Sequence, residues 1–268
     1  MSACVRGYVD TEFGQVHYRA TVRTARVVPG ACALPLVLLH QTASSSAMFE
    51  PLMERIADRF VVFAPDTPGF GGTDAPREPA SIALYARVLG QALARMGIGE
   101  CWLFGHHTGA SIAVQLEHDQ PGLARRMVLS GPPYLTPAQK RALAAKVQPV
   151  VLDPHGDYLG ALWQRLRAKD PAAPVALTHR EMILNLTAGT RYHEAYDAVF
   201  THDFESQLAA ITCPVLVMAG DDDSLRESLA PACAALPRGE MRVVPGAGTY
   251  LCDRAPDAVA DILRDFFI

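Results

Sequence analysis

The residues best placed to do chemistry in this chain sit together at Gly105-His106-His107-Thr108-Gly109. The apolar run Cys101 to Phe104 before them reads as a short strand, and an apolar-periodic helix follows from Ala110. Glycines on both sides of His107 suit a sharp strand-to-helix turn, where a flanking Cβ would clash with neighbouring backbone. An imidazole is a poor lasting nucleophile toward esters but the best general base near neutral pH. At the tip of such a turn His107 would take a proton from water, or from a substrate carbon or hydroxyl, without forming a covalent intermediate. Alternation along the strand sends His106 the other way, into packing.

Other chemistries find less support. The chain has 9 histidines and 6 cysteines, yet no H-E-x-x-H and no Cys/His cluster, so no metal site is expected. No G-x-G-x-x-G leads from a strand into a helix, and no cofactor is expected. A net charge of −4 without a basic run gives no reason to expect nucleic acid or an anionic membrane surface. Scattered cysteines (Cys4, Cys32, Cys101, Cys213, Cys233, Cys252) and no signal-like N-terminus point to free thiols and a cytoplasmic location. The expected partner is a small-molecule substrate.

The elements around the turn alternate. Val5 to Asp10 and Gln15 to Val22 pattern as two strands joined at Phe13-Gly14. After Pro29-Gly30, Leu34 to Leu39 is an apolar run suited to a strand buried on both faces, as are Val61 to Ala64, Arg126 to Ser130 and Pro214 to Gly220. Helices are expected at Ala47 to Ala57 and Ser81 to Met96, later around Arg226 to Leu236 and at Pro256 to Phe267, with a last strand at Met241 to Val244. Short βα connections argue a doubly wound, mainly parallel twisted sheet flanked by helices, an α/β fold. The rhythm breaks between Tyr134 and Ile211, where four helices are expected: Pro137 to Val147, Asp157 to Lys169, His179 to Thr187 and Arg191 to Phe200. The domain reading is a core of residues 1–133 and 212–268, with residues 134–211 a helical cap inserted after the sixth strand, over the edge where such sheets bind ligands.

Taken together these segments resemble the α/β-hydrolase superfamily, in its capped branch. Leu38-Leu39-His40-Gln41-Thr42 is similar to that family's oxyanion-hole loop, with Gln41 where the pattern has glycine. Asp66-Thr67-Pro68-Gly69-Phe70-Gly71 resembles its D-x-P-G-x-G loop, and Gly105 to Gly109 its nucleophile elbow, G-x-S-x-G. Gly220-Asp221-Asp222-Asp223 looks like the loop carrying the acid, and Pro245-Gly246-Ala247-Gly248-Thr249 like the loop carrying the histidine.

The resemblance implies site residues one by one. His107 stands where the nucleophile serine is expected, Thr249 where the histidine is expected, and Asp223 keeps the acid. The backbone N–H groups of Thr42 and Thr108 are implied as the oxyanion donors. Thr249 could bridge His107 to Asp223 through its hydroxyl. His40 would hold the loop, and Gln41 would either add a polar donor or pack. From the inserted helices, Trp163, Tyr192 and Tyr196 are the aromatic candidates for a substrate pocket. The expected activity is cofactor-independent acid/base catalysis by His107 on a small carbonyl compound, as a hydrolase or as a lyase, isomerase or cyclase variant. The alternative is a catalytically inactive relative that binds a ligand or a partner.

Overall fold

A computed structural model describes residues 4–21, 34–147 and 149–268. Val22, the Pro29-Gly30 joint and Cys32 lie outside the described residues. Eight strands form one sheet: β1 (Cys4–Thr11), β2 (Gly14–Thr21), β3 (Leu36–Leu39), β4 (Val62–Pro65), β5 (Cys101–His106), β6 (Ala124–Ser130), β7 (Val215–Gly220) and β8 (Gly239–Val244). Their spatial order is β1-β2-β4-β3-β5-β6-β7-β8. The β1–β2 and β2–β4 pairs are antiparallel and every other pair is parallel.

The helices are α1 (Glu50–Ile56), α2 (Ile82–Arg95), α3 (Thr108–Asp119), α4 (Pro137–Ala144), α5 (Asp157–Lys169), α6 (Val175–Thr187), α7 (Glu194–Thr201), α8 (Phe204–Ala209), α9 (Leu229–Ala235), α10 (Leu251–Arg254) and α11 (Pro256–Phe267). Capping chemistry sets several starts. The Ser81 hydroxyl accepts from the Leu84 N–H at α2, and Thr136 and Gln139 form a capping box at α4 with Pro137 at the first helical position. None of the helices is long and apolar enough to cross a membrane.

Alternation within the central strands makes a two-layered core. Val37, Leu39, Leu103, Met127, Leu129, Val215 and Val217 face one side with α2, α3, α8 and α9. Leu36, Leu38, Phe104, Val128, Leu216 and Met218 face the other with α1, α10 and α11. A strand buried on both faces therefore reads as an unbroken apolar run, and its period of two becomes visible only when the helices on each side are known.

α4 to α8 lie between β6 and β7, the region without strands. Two differences from the sequence expectation stand out. α6 begins at Val175, four residues before His179, because Pro174 fixes its own φ at −55° and serves as the N-cap. α8 is an additional short helix whose N-cap, Asp203, makes no side-chain capping bond; its helical identity comes from burying Phe204 and Leu208 one turn apart.

Candidate active site

β5 ends at His106 and α3 begins at Thr108, so one residue makes the turn. That residue, His107, has φ +50° and ψ −109°, and it is the one non-glycine with positive φ among the described residues. Such a backbone costs on the order of 1–3 kcal/mol and persists only where its surroundings enforce it. Here the His107 N–H donates to the Ser130 carbonyl on β6 at 2.8 Å, and the His107 carbonyl accepts from the Ala110 N–H at 2.8 Å. A Cβ on Gly105 would stand 2.7 Å from the Ala110 Cα, closer than any side chain tolerates.

The His107 ring is turned toward the loop after β7. Its Nε2 lies 2.9 Å from Asp223 Oδ2. An ionised carboxylate can only accept, so Nε2 carries the hydrogen and Nδ1 is left as the basic nitrogen. Nδ1 has no hydrogen-bond partner among the described residues, and His107 lines a cavity. Burial opposes charge on Asp223, but the His107 ring and the Leu225 N–H, 2.7 Å from Oδ1, outweigh it and hold the carboxyl at about 2. Asp223 therefore stays ionised across the whole ordinary pH range.

Gly131 packs directly on this ring. A Cβ there would stand against the His107 imidazole, and Gly131 also has φ +56°. Gly131→Ala is expected to tilt the ring away from Asp223 and cut turnover by roughly 10–100-fold, since a displacement of about 1 Å can cost that much. Steady-state kinetics beside a thermal melt checks it: a loss of stability with unchanged turnover contradicts the expectation.

Thr249 does not stand between the pair, as the expected bridge would require. The imidazole at the turn reaches the carboxylate by itself. Thr249 is buried, lines the cavity, and gives its carbonyl to the His106 ring. His106 and His107 do not face opposite sides either: their ring centroids are 4.4 Å apart. The alternation rule fails because His107 has left strand geometry.

His106 donates from Nε2 to the Thr249 carbonyl at 2.9 Å and its Nδ1 lies 2.9 Å from the Ser130 hydroxyl, so it ties the last loop to β6. Burial, assisted by the neighbouring His107, pushes its pKa down from 6.5 to about 3. The unfolded chain therefore binds a proton near pH 6.5 that folded His106 refuses until about pH 3. Its share of stability is complete above pH 6.5 and declines by about 1.4 kcal/mol per pH unit as the pH falls through that window. Burial depresses His40 and His202 in the same direction. In urea melts between pH 7 and pH 4, His106→Gln should flatten the dependence by about one proton; an unchanged slope contradicts a neutral buried imidazole.

The loop after β3 supplies the facing wall. His40 donates from Nδ1 to the Gln41 carbonyl and accepts the Thr67 N–H at Nε2, both at 2.8 Å, which pins Gln41-Thr42 to the loop after β4. The Thr42 hydroxyl is 2.8 Å from the Thr108 hydroxyl, and the Thr42 N–H points to the same oxygen at 3.4 Å. Thr108 opens α3, where its own N–H has no partner within the helix. Both amides thus border one spot beside His107.

The cavity has a volume of about 420 Å³, a size suited to a small organic molecule. Gln41, Thr42, His107, Thr108 and Thr249 form its floor, and Tyr192, Tyr196 and Phe200 stand above. Trp163 is not part of its lining. On α5 the cavity-facing positions are Arg165, Ala168 and Lys169, one turn apart, and Trp163 is rotated by about 200° from Arg165.

The sequence reading passed over what fastens the inserted helices to the Thr42 loop. The Tyr196 hydroxyl donates to the Thr42 carbonyl at 3.0 Å, the Asn185 amide to the Ala43 carbonyl at 3.0 Å, and the Ser44 hydroxyl to Glu181 Oε1 at 3.2 Å. Arg180 joins Glu181 to Asp253 beside them. No spacing rule links positions so distant, so no sequence signal could have found them. Among the described residues no group of three or more His, Cys, Asp or Glu side chains could hold a metal ion.

Comparison with known proteins places this geometry in context. The chain is 28% identical over 253 residues to 2-(acetamidomethylene)succinate hydrolase of Mesorhizobium japonicum, covering 87% of each. It is 25% identical to poly(3-hydroxyalkanoate) depolymerase of Ectopseudomonas oleovorans, over 92% of this chain and 88% of that protein. The crystal structure of the enol-lactonase of Burkholderia xenovorans superposes with a TM-score of 0.80 at 17% identity, covering 97% of this chain and 99% of the other, a likeness of fold. The relatives matched along most of their length carry names of hydrolytic enzymes. The model of the alpha/beta hydrolase fold matches residues 35–256, and the chain belongs to that family.

Proposed function

We propose that this chain is a cofactor-independent hydrolase of a small carbonyl compound, in which His107 acts as general base at the elbow. The observation that carries the reading is the His107–Asp223 contact of 2.9 Å, which fixes Nε2 as the donor and frees Nδ1 toward the cavity. In the serine version of this fold the imidazole activates a hydroxyl. Here it would activate water itself. Nδ1 takes a proton as the water oxygen bonds to the substrate carbonyl carbon, and Asp223 stabilises the imidazolium that forms. The carbonyl oxygen gains the charge and is met by the Thr42 and Thr108 N–H groups, each such donor being worth about 2.7–4 kcal/mol in the transition state. The tetrahedral species collapses as the imidazolium returns its proton to the leaving oxygen or nitrogen.

The inserted helices would serve as a cap, closing the cavity through Tyr192 and Tyr196 and excluding bulk water. Relatives named for a substituted succinate and a polyester support a carbonyl substrate cleaved by water. A cytoplasmic location fits the same reading.

The test has two parts. A fluorophosphonate probe should leave the protein unlabelled, because no serine stands at the elbow. Turnover of a panel of small esters, lactones and amides in ¹⁸O-water should place one label in the product acid in a single turnover at high enzyme concentration. Labelling by the probe would reveal a covalent nucleophile and refute the mechanism. Product without ¹⁸O would redirect it to proton abstraction from the substrate. Binding without conversion would favour the inactive relative.

A further inference from the structure

Charged side chains along the cavity wall are unbalanced. Three are cations, the exposed Lys146 and Lys169 and the half-buried Arg165, and one is an acid, the exposed Asp222 in the loop after β7. Asp223 is already engaged by His107. Arg165 and Lys169 are four residues apart on α5, so their side chains leave the same face of the helix.

Neither has an ion-pair partner among the described residues. Arg165 lies 5.1 Å above the Tyr192 ring and donates one N–H to the Tyr192 hydroxyl, which leaves most of its five donors unspent. Lys169 is flanked by Tyr196, Tyr250 and Glu181. The Tyr196 hydroxyl in particular raises its pKa, against the opposing effect of burial, so the ammonium is charged. Glu181 adds to that rise from nearby without forming an ion pair with Lys169, its Oε1 being held by Arg180 at 2.6 Å and by the Ser44 hydroxyl. The Tyr250 hydroxyl beside them is buried without a partner among the described residues. Arg165 is half-buried and Lys146 and Lys169 are exposed, so their positive charge faces an anionic ligand entering the cavity with only the exposed Asp222 to offset it.

We propose that Arg165 and Lys169 form a carboxylate-binding subsite, so that the substrate is an organic acid whose reacting carbonyl lies over His107 while its carboxylate bonds to this pair. The inference rests on the cavity being the substrate site and deepens that reading by naming the charge of the substrate. Tyr196 links the two ends of the site, since its hydroxyl donates to the Thr42 carbonyl and also acts electrostatically on Lys169. The planar guanidinium would grip the carboxylate through paired N–H donors, and Lys169 would add a point charge.

The experiment compares two probes of equal shape, 3-phenylpropionate and 3-phenylpropanamide, by calorimetry on the full chain. The wild type should bind the acid at least tenfold more tightly than the amide. Arg165→Gln and Lys169→Gln should each reduce that preference severalfold, and the double variant should abolish it. His107→Ala should keep the preference while losing turnover, which separates failure of the subsite from failure of the base. Equal binding of acid and amide by the wild type, or no binding of either at millimolar concentration, overturns the proposal. So does a preference that survives in the double variant, which would make the two cations structural counter-charges of the Glu181–Asp253 cluster. Thermal melts of each variant ensure that lost preference is read on folded protein.

Discussion

His107→Ala is expected to lower kcat by at least ~10³-fold under the proposed mechanism, because it removes both the proposed base and the group through which Asp223 would act. The size of the loss depends on who can substitute. His106 cannot: both its ring nitrogens are engaged and burial keeps it neutral down to about pH 3. The change also has a stability cost that must be separated from the catalytic one. Asp223 is buried, and removing its partner leaves a carboxylate uncompensated, a loss on the order of 3–5 kcal/mol. Alanine recovers little of the strain at φ +50°, whereas glycine recovers about 1–3 kcal/mol of it. The unpaired charge outweighs the relief, so His107→Gly should also melt below the wild type. The double variant His107→Gly with Asp223→Asn should melt above the single one while staying inactive. Turnover retained by the alanine variant would end the general-base mechanism whatever the melts show.

Asp223→Asn is the second large effect, expected at ~10²–10⁴-fold in kcat with a nearly unchanged KM. The amide is almost isosteric with the carboxylate, so ring position survives. Its chemistry does not. An amide that keeps its carbonyl on the Leu225 N–H presents its NH₂ group to His107, so Nε2 must become the acceptor and the proton moves to Nδ1. The nitrogen facing the cavity then has no lone pair for water. The imidazolium formed during the reaction also loses its counter-charge. Asp223→Glu, which restores charge at altered reach, should recover part of the rate. A variant in which asparagine costs less than about threefold would show that the pair is structural, and the base would have to be sought elsewhere.

Since Asp223 is held at about 2, it remains ionised throughout a profile from pH 5 to pH 9, and it contributes no acid limb of its own. Its stabilising share is complete above its unfolded value of 3.8 and is lost only as pH falls toward 2.

Much of this molecule was legible in its residues, and the reasons are specific. The strands Leu36–Leu39, Val62–Pro65 and Val215–Gly220 are buried on both faces, which leaves no polar position in them and makes them visible as apolar runs. The turn at His107 was visible because two glycines are needed where α3 leaves β5, and the backbone contact at Gly105 shows why no larger residue fits. Asp223 could be named because Gly220-Asp221-Asp222-Asp223, directly after the apolar run of β7, resembles the family loop that carries the acid. These are local constraints, enforced within a few residues, so composition and spacing record them.

What only the folded chain decided depends on residues that meet across long separations. Thr249 was expected between His107 and Asp223, 116 positions apart, but the imidazole crosses that gap alone and Thr249 turns its carbonyl to His106. Trp163 was counted for the pocket by its aromatic character, whereas the rotation of α5 puts Arg165 and Lys169 there. Which face of a surface helix points inward depends on what it packs against, and a helix carrying both apolar and charged faces leaves that choice to its neighbours. The sequence determined the strand order's raw material and the imidazole at the turn; the direction of that ring, and the charge of the wall it looks toward, belong to the tertiary structure because they are set by partners no local rule can reach.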